Sequence, residues 1–217
     1  MFKKKPLFIV FEGIEGCGKS YQSKKLVRNL KEKKLKVTLT REPGGTPRAE
    51  LIRRLILQDY FQDNKLNKFD KYTDTLLYLA ARNEHIKDLI YPELKKKKIV
   101  ICDRFIDSTY AYQTIGKKVN KDFINNIHKT ILKNIKPDLV FVLKVDLKIS
   151  RKRINKRKIK NRYDKFPSAF YKKAQKAFLK IAQNKKNYIV LNSSNDDNKL
   201  EKNILSIVLN KLKNDTR

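Results

Sequence analysis

Short apolar runs alternate with longer amphipathic stretches along this chain. The runs predicted as strands are 7–11, 37–40, 99–102, 139–144 and 188–191. Such brief, Val- and Ile-rich runs are typical of strands buried in a parallel sheet. Helical spacing of apolar positions predicts helices at 19–33, 49–57, 74–90, 122–132, 169–183 and 199–212. This alternation predicts an α/β fold in one 217-residue domain, with three layers: a five-stranded parallel sheet and helices on both of its faces.

Four polar segments follow predicted strands, and each therefore lies at the carboxyl edge of the sheet. Ligands of open parallel sheets bind at that edge. The segments that the pattern places there are 13–20, 41–45, 103–104 and 192–193. We therefore expect the functional site along this rim.

The first of these segments fits a phosphate-binding loop. Residues 13–20 read Gly13-Ile14-Glu15-Gly16-Cys17-Gly18-Lys19-Ser20 and match G-x-x-x-x-G-K-S/T, using three of the chain's six glycines. Glycines let backbone N–H groups turn toward one anion, and the helix that follows adds its positive end. Lys19 is then expected to reach the β- and γ-phosphates of a nucleoside triphosphate, and Ser20 to place its hydroxyl on Mg²⁺.

Two further segments carry candidate phosphate chemistry. Residues 40–46 hold two more glycines around Pro43, where a cis Glu42–Pro43 bond is one option and an ordinary structural turn is the other. Asp103 and Arg104 end the third strand. A carboxylate there can bind Mg²⁺ through water and an arginine can clamp a phosphate, although a surface ion pair has the same sequence.

A helix face and the segment after the third strand supply further polar and aromatic groups. Tyr78 and Arg82 are four residues apart and share a face, so they can stack on a base and hydrogen-bond its carbonyl. The alternative is one core aromatic and one surface arginine. Further polar candidates are Ser108, Tyr112 and Gln113. No metal site is expected on the two histidines, His85 and His128, because other candidate ligands lie far from them in sequence.

A densely basic region covers residues 151–162 and interrupts the alternation of strands and helices. We interpret it as a mobile lid at about 151–163, with a solvated helix face as the alternative. Lids of this kind close over bound nucleotides and exclude water.

Composition adds a strong positive charge. The chain has 53 Lys and Arg against 22 Asp and Glu, a formal net charge of +31. The excess is mostly lysine, 41 against 12 arginines, and it is spread along the chain. We therefore expect a solvated basic surface with nonspecific nucleic-acid binding at low salt, and no specific nucleic-acid site.

The expected compartment is a reducing cytoplasm. Cys17 and Cys102 provide no disulfide framework. The apolar run near the N-terminus is too short for a signal peptide or a membrane span and soon meets Glu12.

Taken together, the motifs resemble the thymidylate kinase family over nearly the full length of the chain. The matching segments are 11–20, 40–46, 77–82, 103–105 and 108–113. The resemblance implies a P-loop nucleoside monophosphate kinase fold and phosphorylation of dTMP to dTDP in dTTP synthesis, with ATP as donor and Mg²⁺ as metal. It also implies a homodimer built from packed helices.

The resemblance implies roles for the substrate-facing residues. Glu15 is expected near the 3′-hydroxyl of the dTMP sugar, and Arg53 and Arg104 on the acceptor phosphate. Tyr78, where the family usually has Phe, is expected to stack on thymine, and Arg82 to contact its 4-carbonyl. A hydroxyl at this position could alter the preference around the thymine 5-methyl group.

It also implies roles for residues nearer the reacting phosphates. Tyr112 is expected to crowd the 2′ position, Gln113 and Ser108 to contact the nucleotide, and Asp103 to organise Mg²⁺ through water. Because Gly16 follows Glu15 where one branch of the family has a basic residue, the catalytic arginines are expected from the lid, as in bacterial-type enzymes. The candidates are Arg153, Arg157 and Arg162. In the lid, 161–164 departs from a more acidic family pattern.

Two other functions remain open from the residues alone. A deoxynucleoside kinase would need a carboxylate base beside a sugar hydroxyl, for which Glu12 and Glu42 are candidates. A basic P-loop ATPase would bind nucleic acid and be stimulated by it.

Overall fold

The computed structural model describes residues 6–58, 69–159, 161–195 and 198–214. Within these ranges the chain forms one parallel sheet of five strands. In chain order they are β1 Leu7–Glu12, β2 Val37–Arg41, β3 Ile99–Asp103, β4 Leu139–Lys144 and β5 Tyr188–Asn192. The spatial order is β2-β3-β1-β4-β5. The predicted α/β class and five-stranded parallel sheet are confirmed.

Helices connect the strands, as the alternating pattern predicts. They are α1 Lys19–Glu32, α2 Pro47–Leu57, α3 Lys71–His85, α4 Tyr91–Lys95, α5 Ile106–Thr109, α6 Lys121–Ile131, α7 Leu147–Asn155, α8 Ser168–Ala182 and α9 Asn198–Asn214. Wider π-helical turns cover Ile86–Ile90 and Tyr110–Gly116, and a 3₁₀ turn covers Arg162–Lys165. Among these helices none is both long and apolar enough to cross a bilayer.

The structure differs from the prediction at the start of α3 and at the basic region 151–162, and a side-chain cap begins the helix in each case. The helix predicted at 74–90 begins three residues earlier, because the Asp70 carboxylate accepts from the backbone N–H groups of Tyr72 and Thr73. Its regular α-geometry ends at His85. The region predicted to interrupt the alternation instead begins inside α7, which the Asp146 carboxylate caps.

The sheet is buried on both faces at its centre. Every residue of β1 is buried, and successive side chains of a strand point to opposite faces, so packed elements cover both sides. On β4 the same holds from Leu139 to Leu143. This burial explains why the strands appear in the sequence as continuous apolar runs.

The strand register aligns three carboxyl ends at one rim. Phe11 of β1 and Arg41 of β2 both pair with Asp103 of β3. Beyond the pairing, the Glu42 N–H donates to the Asp103 carbonyl and the Arg104 N–H to the Phe11 carbonyl, each at 2.9 Å. The segments following β1, β2 and β3 are therefore held beside one another.

Candidate active site

A cavity of 430 Å³ opens at this rim. Its volume lies in the range typical of small-molecule sites. Its charged lining consists of the cations Lys19, Arg41, Arg53, Arg82, Arg104 and Arg157 and the carboxylates Glu15, Glu42 and Asp103. The excess of cations suits a ligand that carries several phosphates.

The glycine-rich loop forms one wall of the cavity. Gly16 has a φ of 71°, and a Cβ there would lie 2.5 Å from the Ser150 carbonyl of α7, so the loop can approach that helix only with glycine. Lys19 is almost fully buried and donates to the Ile14 carbonyl at 2.8 Å. Gly18 begins α1 without a side-chain cap, which leaves the first N–H groups of the helix for an anion.

Ser20 and Asp103 meet beside this loop, and the Ser20 hydroxyl donates to the Asp103 carboxylate. A hydroxyl and a carboxylate are the oxygen ligands that Mg²⁺ accepts, together with phosphate and water oxygens. The donor set therefore fits the predicted metal site. No group of three or more His, Cys, Asp or Glu side chains suited to a metal occurs in the parts of the chain that the structure describes.

Arg104 forms hydrogen bonds with three residues in the part of the cavity where the acceptor phosphate is expected. Its guanidinium bonds the Glu15 carboxylate at 2.7 Å, the Gly13 carbonyl at 2.8 Å and the Ser108 hydroxyl at 3.0 Å. The Tyr112 hydroxyl donates to the other Glu15 oxygen at 2.6 Å. Burial alone would raise the pKa of Glu15, but Arg104 and Lys19 outweigh it and lower that pKa, so the carboxylate is charged.

Arg53 reaches the cavity from α2, and the family resemblance implies that it is a phosphate ligand. It donates to the Pro43 carbonyl, and the Glu42–Pro43 bond is cis. Burial and nearby Arg41 lower the pKa of Arg53. Arg41 itself also lines the cavity, and the sequence analysis assigned it no role. Its position at the end of β2, at the rim of the sheet, is the feature of the sequence that could have indicated a place in the site.

Aromatic side chains form another part of the cavity wall. Tyr78 of α3 lies edge-on to Tyr163, with ring centroids 6.4 Å apart, and Tyr163 lies edge-on to Tyr112 at 5.6 Å. The Gln113 amide donates to the Tyr163 hydroxyl at 3.4 Å. Burial raises the pKa of Tyr78 well above its ordinary value, so its hydroxyl is neutral. Tyr163 is not among the residues predicted for the site, although it lies within the 161–164 segment.

Arg82 lines the cavity but is only 3% exposed. Its guanidinium donates to the Glu42 carboxylate, the Phe105 carbonyl, the Thr109 hydroxyl and the His128 ring. Its contact with a base remains a prediction.

The three predicted lid arginines lie in different surroundings. Arg157 lines the cavity and donates to the Asp164 carboxylate at 2.6 Å. Arg153 instead bonds the Ser193 carbonyl at 2.9 Å, and Arg162 bonds the Asp74 carboxylate. The structure thus brings Arg157 to the cavity wall and turns the other two toward the protein.

The two carboxylates considered as bases for a sugar hydroxyl are already engaged. Glu12 is fully buried and accepts from the Phe105 N–H at 2.8 Å and the Ser108 hydroxyl at 2.6 Å. Glu42 bonds Arg82 and His85. This geometry favours a phosphate acceptor over a hydroxyl acceptor.

Glu12 leads to a prediction about stability and pH. Burial and then Asp107 raise its pKa from 4.5 to about 7, against the opposing Ser108 hydrogen bond. A carboxyl group whose pKa is higher in the folded state contributes stability below its unfolded pKa and loses it as the pH rises through the folded pKa. Between pH 5 and 8, wild type should therefore lose about 2 kcal/mol relative to Glu12→Gln in urea unfolding. Parallel stability curves for the two proteins would contradict this prediction.

Fold and site together define a P-loop phosphotransferase: a phosphate loop, a hydroxyl–carboxylate pair and clustered cations surround one cavity at the rim of a parallel sheet. Comparison with known proteins identifies the family. The family model described as thymidylate kinase matches residues 11–204. The chain therefore belongs to the thymidylate kinase family.

Similar proteins cover almost the whole chain. The thymidylate kinase of Mycoplasma capricolum subsp. capricolum is 38% identical over 210 residues, covering 95% of this chain and 96% of that protein. That of Wolbachia pipientis subsp. Culex pipiens is 40% identical over 213 residues, covering 95% and 98%. The crystal structure of thymidylate kinase from Ehrlichia chaffeensis superposes with a TM-score of 0.74 at 30% identity, covering 94% and 99%.

Proposed function

We propose that this protein transfers the γ-phosphoryl group of ATP to the 5′-phosphate of dTMP, forming dTDP for dTTP synthesis. The observation that carries the proposal is one cavity that joins the phosphate loop to Arg104 and Arg53 on one side and to Tyr78 on another. Phosphate ligands at two places and an aromatic wall fit a triphosphate donor and a nucleoside monophosphate acceptor.

Positioning and charge neutralisation account for the reaction. Lys19 and the N-terminus of α1 hold the β- and γ-phosphates of ATP, and Arg104 with Arg53 holds the acceptor phosphate in line. Ser20 and Asp103 would hold Mg²⁺, which would supply neutralisation of phosphate charge. No general base is needed, because the attacking oxygen belongs to an anionic phosphate. Of the three predicted lid arginines, Arg157 is the one that lines the cavity.

The acceptor is the decisive test. ADP release from ATP and Mg²⁺ should be rapid with dTMP and near background with thymidine or single-stranded DNA offered separately. Turnover with thymidine but not dTMP would support a deoxynucleoside kinase. Stimulation by DNA alone would support a nucleic-acid-dependent ATPase, for which a steep salt dependence is the second expected sign.

We also propose that the protein works as a homodimer in the cytoplasm. Leu51 and Leu55 lie one turn apart on α2 and remain 58% and 44% exposed, and Leu76 of α3 is 46% exposed. Packed helices from a second copy would cover these apolar side chains. Sedimentation equilibrium should give the mass of a dimer for wild type and a shift toward monomer for Leu51→Glu, and a monomeric wild type would contradict the proposal.

A reducing compartment suits the two buried free thiols of the described residues, Cys17 and Cys102.

A further inference from the structure

Each nitrogen of the Arg82 guanidinium has a partner in the protein. Nε donates to the Glu42 carboxylate at 2.8 Å, and Nη2 donates to the Phe105 carbonyl at 2.9 Å and lies 2.7 Å from the same carboxylate in an ion pair. Nη1 donates to the Thr109 hydroxyl at 2.9 Å and to His128 Nε2 at 2.8 Å. A guanidinium in this cage has one orientation.

The two partners of Nη1 lie on different sides of the guanidinium. Thr109 lines the cavity together with Arg82, whereas His128 of α6 lies outside the lining. Of the two Nη1 hydrogens, the one directed at Thr109 is therefore the one that a ligand in the cavity can share. The other hydrogen is donated to His128, and this bond fixes the position of the same nitrogen.

The contacts of His128 fix its tautomer. Because arginine can only donate, His128 Nε2 must be the acceptor, and the proton of a neutral ring then lies on Nδ1. Nδ1 is 3.3 Å from the Tyr110 hydroxyl, which in turn donates to the Asn125 amide oxygen at 2.8 Å. Burial and then Arg82 lower the pKa of His128 to about 3, so the ring stays neutral near pH 7.

A second histidine, His85, supports Glu42 on the other side of the guanidinium. Glu42 accepts from His85 Nδ1 at 3.1 Å, and His85 Nε2 lies 2.6 Å from the Thr40 hydroxyl. The two histidines, to which the sequence pattern assigns no role, thus lie at opposite ends of one buried network around Arg82.

We propose that His128 is a positioning residue for base recognition: it holds Nη1 of Arg82 so that the second hydrogen of that nitrogen, which is directed at Thr109 on the cavity wall, can be shared with a carbonyl of the bound pyrimidine. This inference rests on the proposed function. A thymine ring presents a carbonyl at the 4-position, which accepts. Cytosine presents an amino group there, which cannot. The orientation of Nη1 therefore contributes to discrimination between dTMP and dCMP.

The test compares three replacements of His128 by steady-state kinetics with dTMP and dCMP. His128→Leu removes the acceptor and should raise KM for dTMP about tenfold, with kcat and KM for ATP within about twofold of wild type. Its preference for dTMP over dCMP should fall by a similar factor. His128→Gln can place an amide oxygen near the position of Nε2. It should restore most of the wild-type KM for dTMP and most of the preference for dTMP over dCMP. The side chain of His128→Asn is shorter and should restore neither.

Ile124→Val is the matched control. Ile124 is fully buried one turn before His128 on α6, and its loss of a methyl group should lower the melting temperature without changing KM for dTMP. If His128→Leu does not fold, the comparison of Gln with Asn decides the question alone. A KM for dTMP at the wild-type value in both Leu and Asn variants, or equal changes in the KM for ATP, would overturn the positioning role. A wild-type protein inactive with dTMP would instead overturn the proposed function on which it rests.

Discussion

Replacement of Lys19 by alanine should lower kcat for dTMP phosphorylation by at least about 10³-fold while the protein stays folded. Lys19 is 6% exposed at the cavity, and its ammonium group contacts the Ile14 carbonyl and the Cys17 sulfur of its own loop. Lys19 helps to lower the pKa of Glu15, but the direct partner of that carboxylate is Arg104 at 2.7 Å, which the alanine variant retains. The loss should therefore fall on the transferring phosphoryl group, whose charge the lysine neutralises.

Lys31→Ala provides the control for this variant. Lys31 lies on the same helix, in its last turn, and is exposed. Its removal changes the net charge by the same amount and should leave kcat near the wild-type value. Circular dichroism and thermal unfolding should be alike for all three proteins. Near-normal turnover by Lys19→Ala would exclude the phosphate-loop assignment.

The sequence predicts the sheet and its rim well for a physical reason. Strands buried on both faces must be apolar throughout, so 99–102 and 139–144 correspond closely to β3 and β4. Parallel strands then place the segments that follow them at one edge. The glycine-rich loop and the Asp103–Arg104 pair lie there as predicted, because both features are local in sequence.

The parts that the sequence does not predict depend on contacts distant in sequence. The partners of Arg82 come from the segment after β2, the segment before α5, α5 itself and α6, and no local pattern around residue 82 indicates them. Arg162 is similar, since it bonds Asp74, 88 positions away, and Lys117 bonds the same carboxylate at 2.6 Å. Composition alone identified the lid region as basic but could not indicate which arginine lines the cavity.

The second large effect is expected at Arg104. Arg104→Ala should lower kcat/KM for dTMP by about 10³-fold, because the acceptor phosphate loses its bidentate ligand. KM for ATP should change little. The same variant leaves the Glu15 carboxylate, whose side chain is 10% exposed, without its partner at 2.7 Å. Loss of one partner of a buried pair costs about 3 kcal/mol, so urea unfolding should occur at a clearly lower midpoint.

A double variant separates the two roles of Arg104. Adding Glu15→Gln to Arg104→Ala removes the uncompensated charge and should recover part of the lost stability, because a neutral amide costs less to bury than a carboxylate. Catalysis should not recover, since no cation is returned to the acceptor phosphate. Arg48→Ala, on exposed α2 surface with its side chain 64% exposed, should match wild type in both measurements. Recovery of kcat/KM together with stability would mean that Arg104 acts through the fold of the loop alone and touches no substrate.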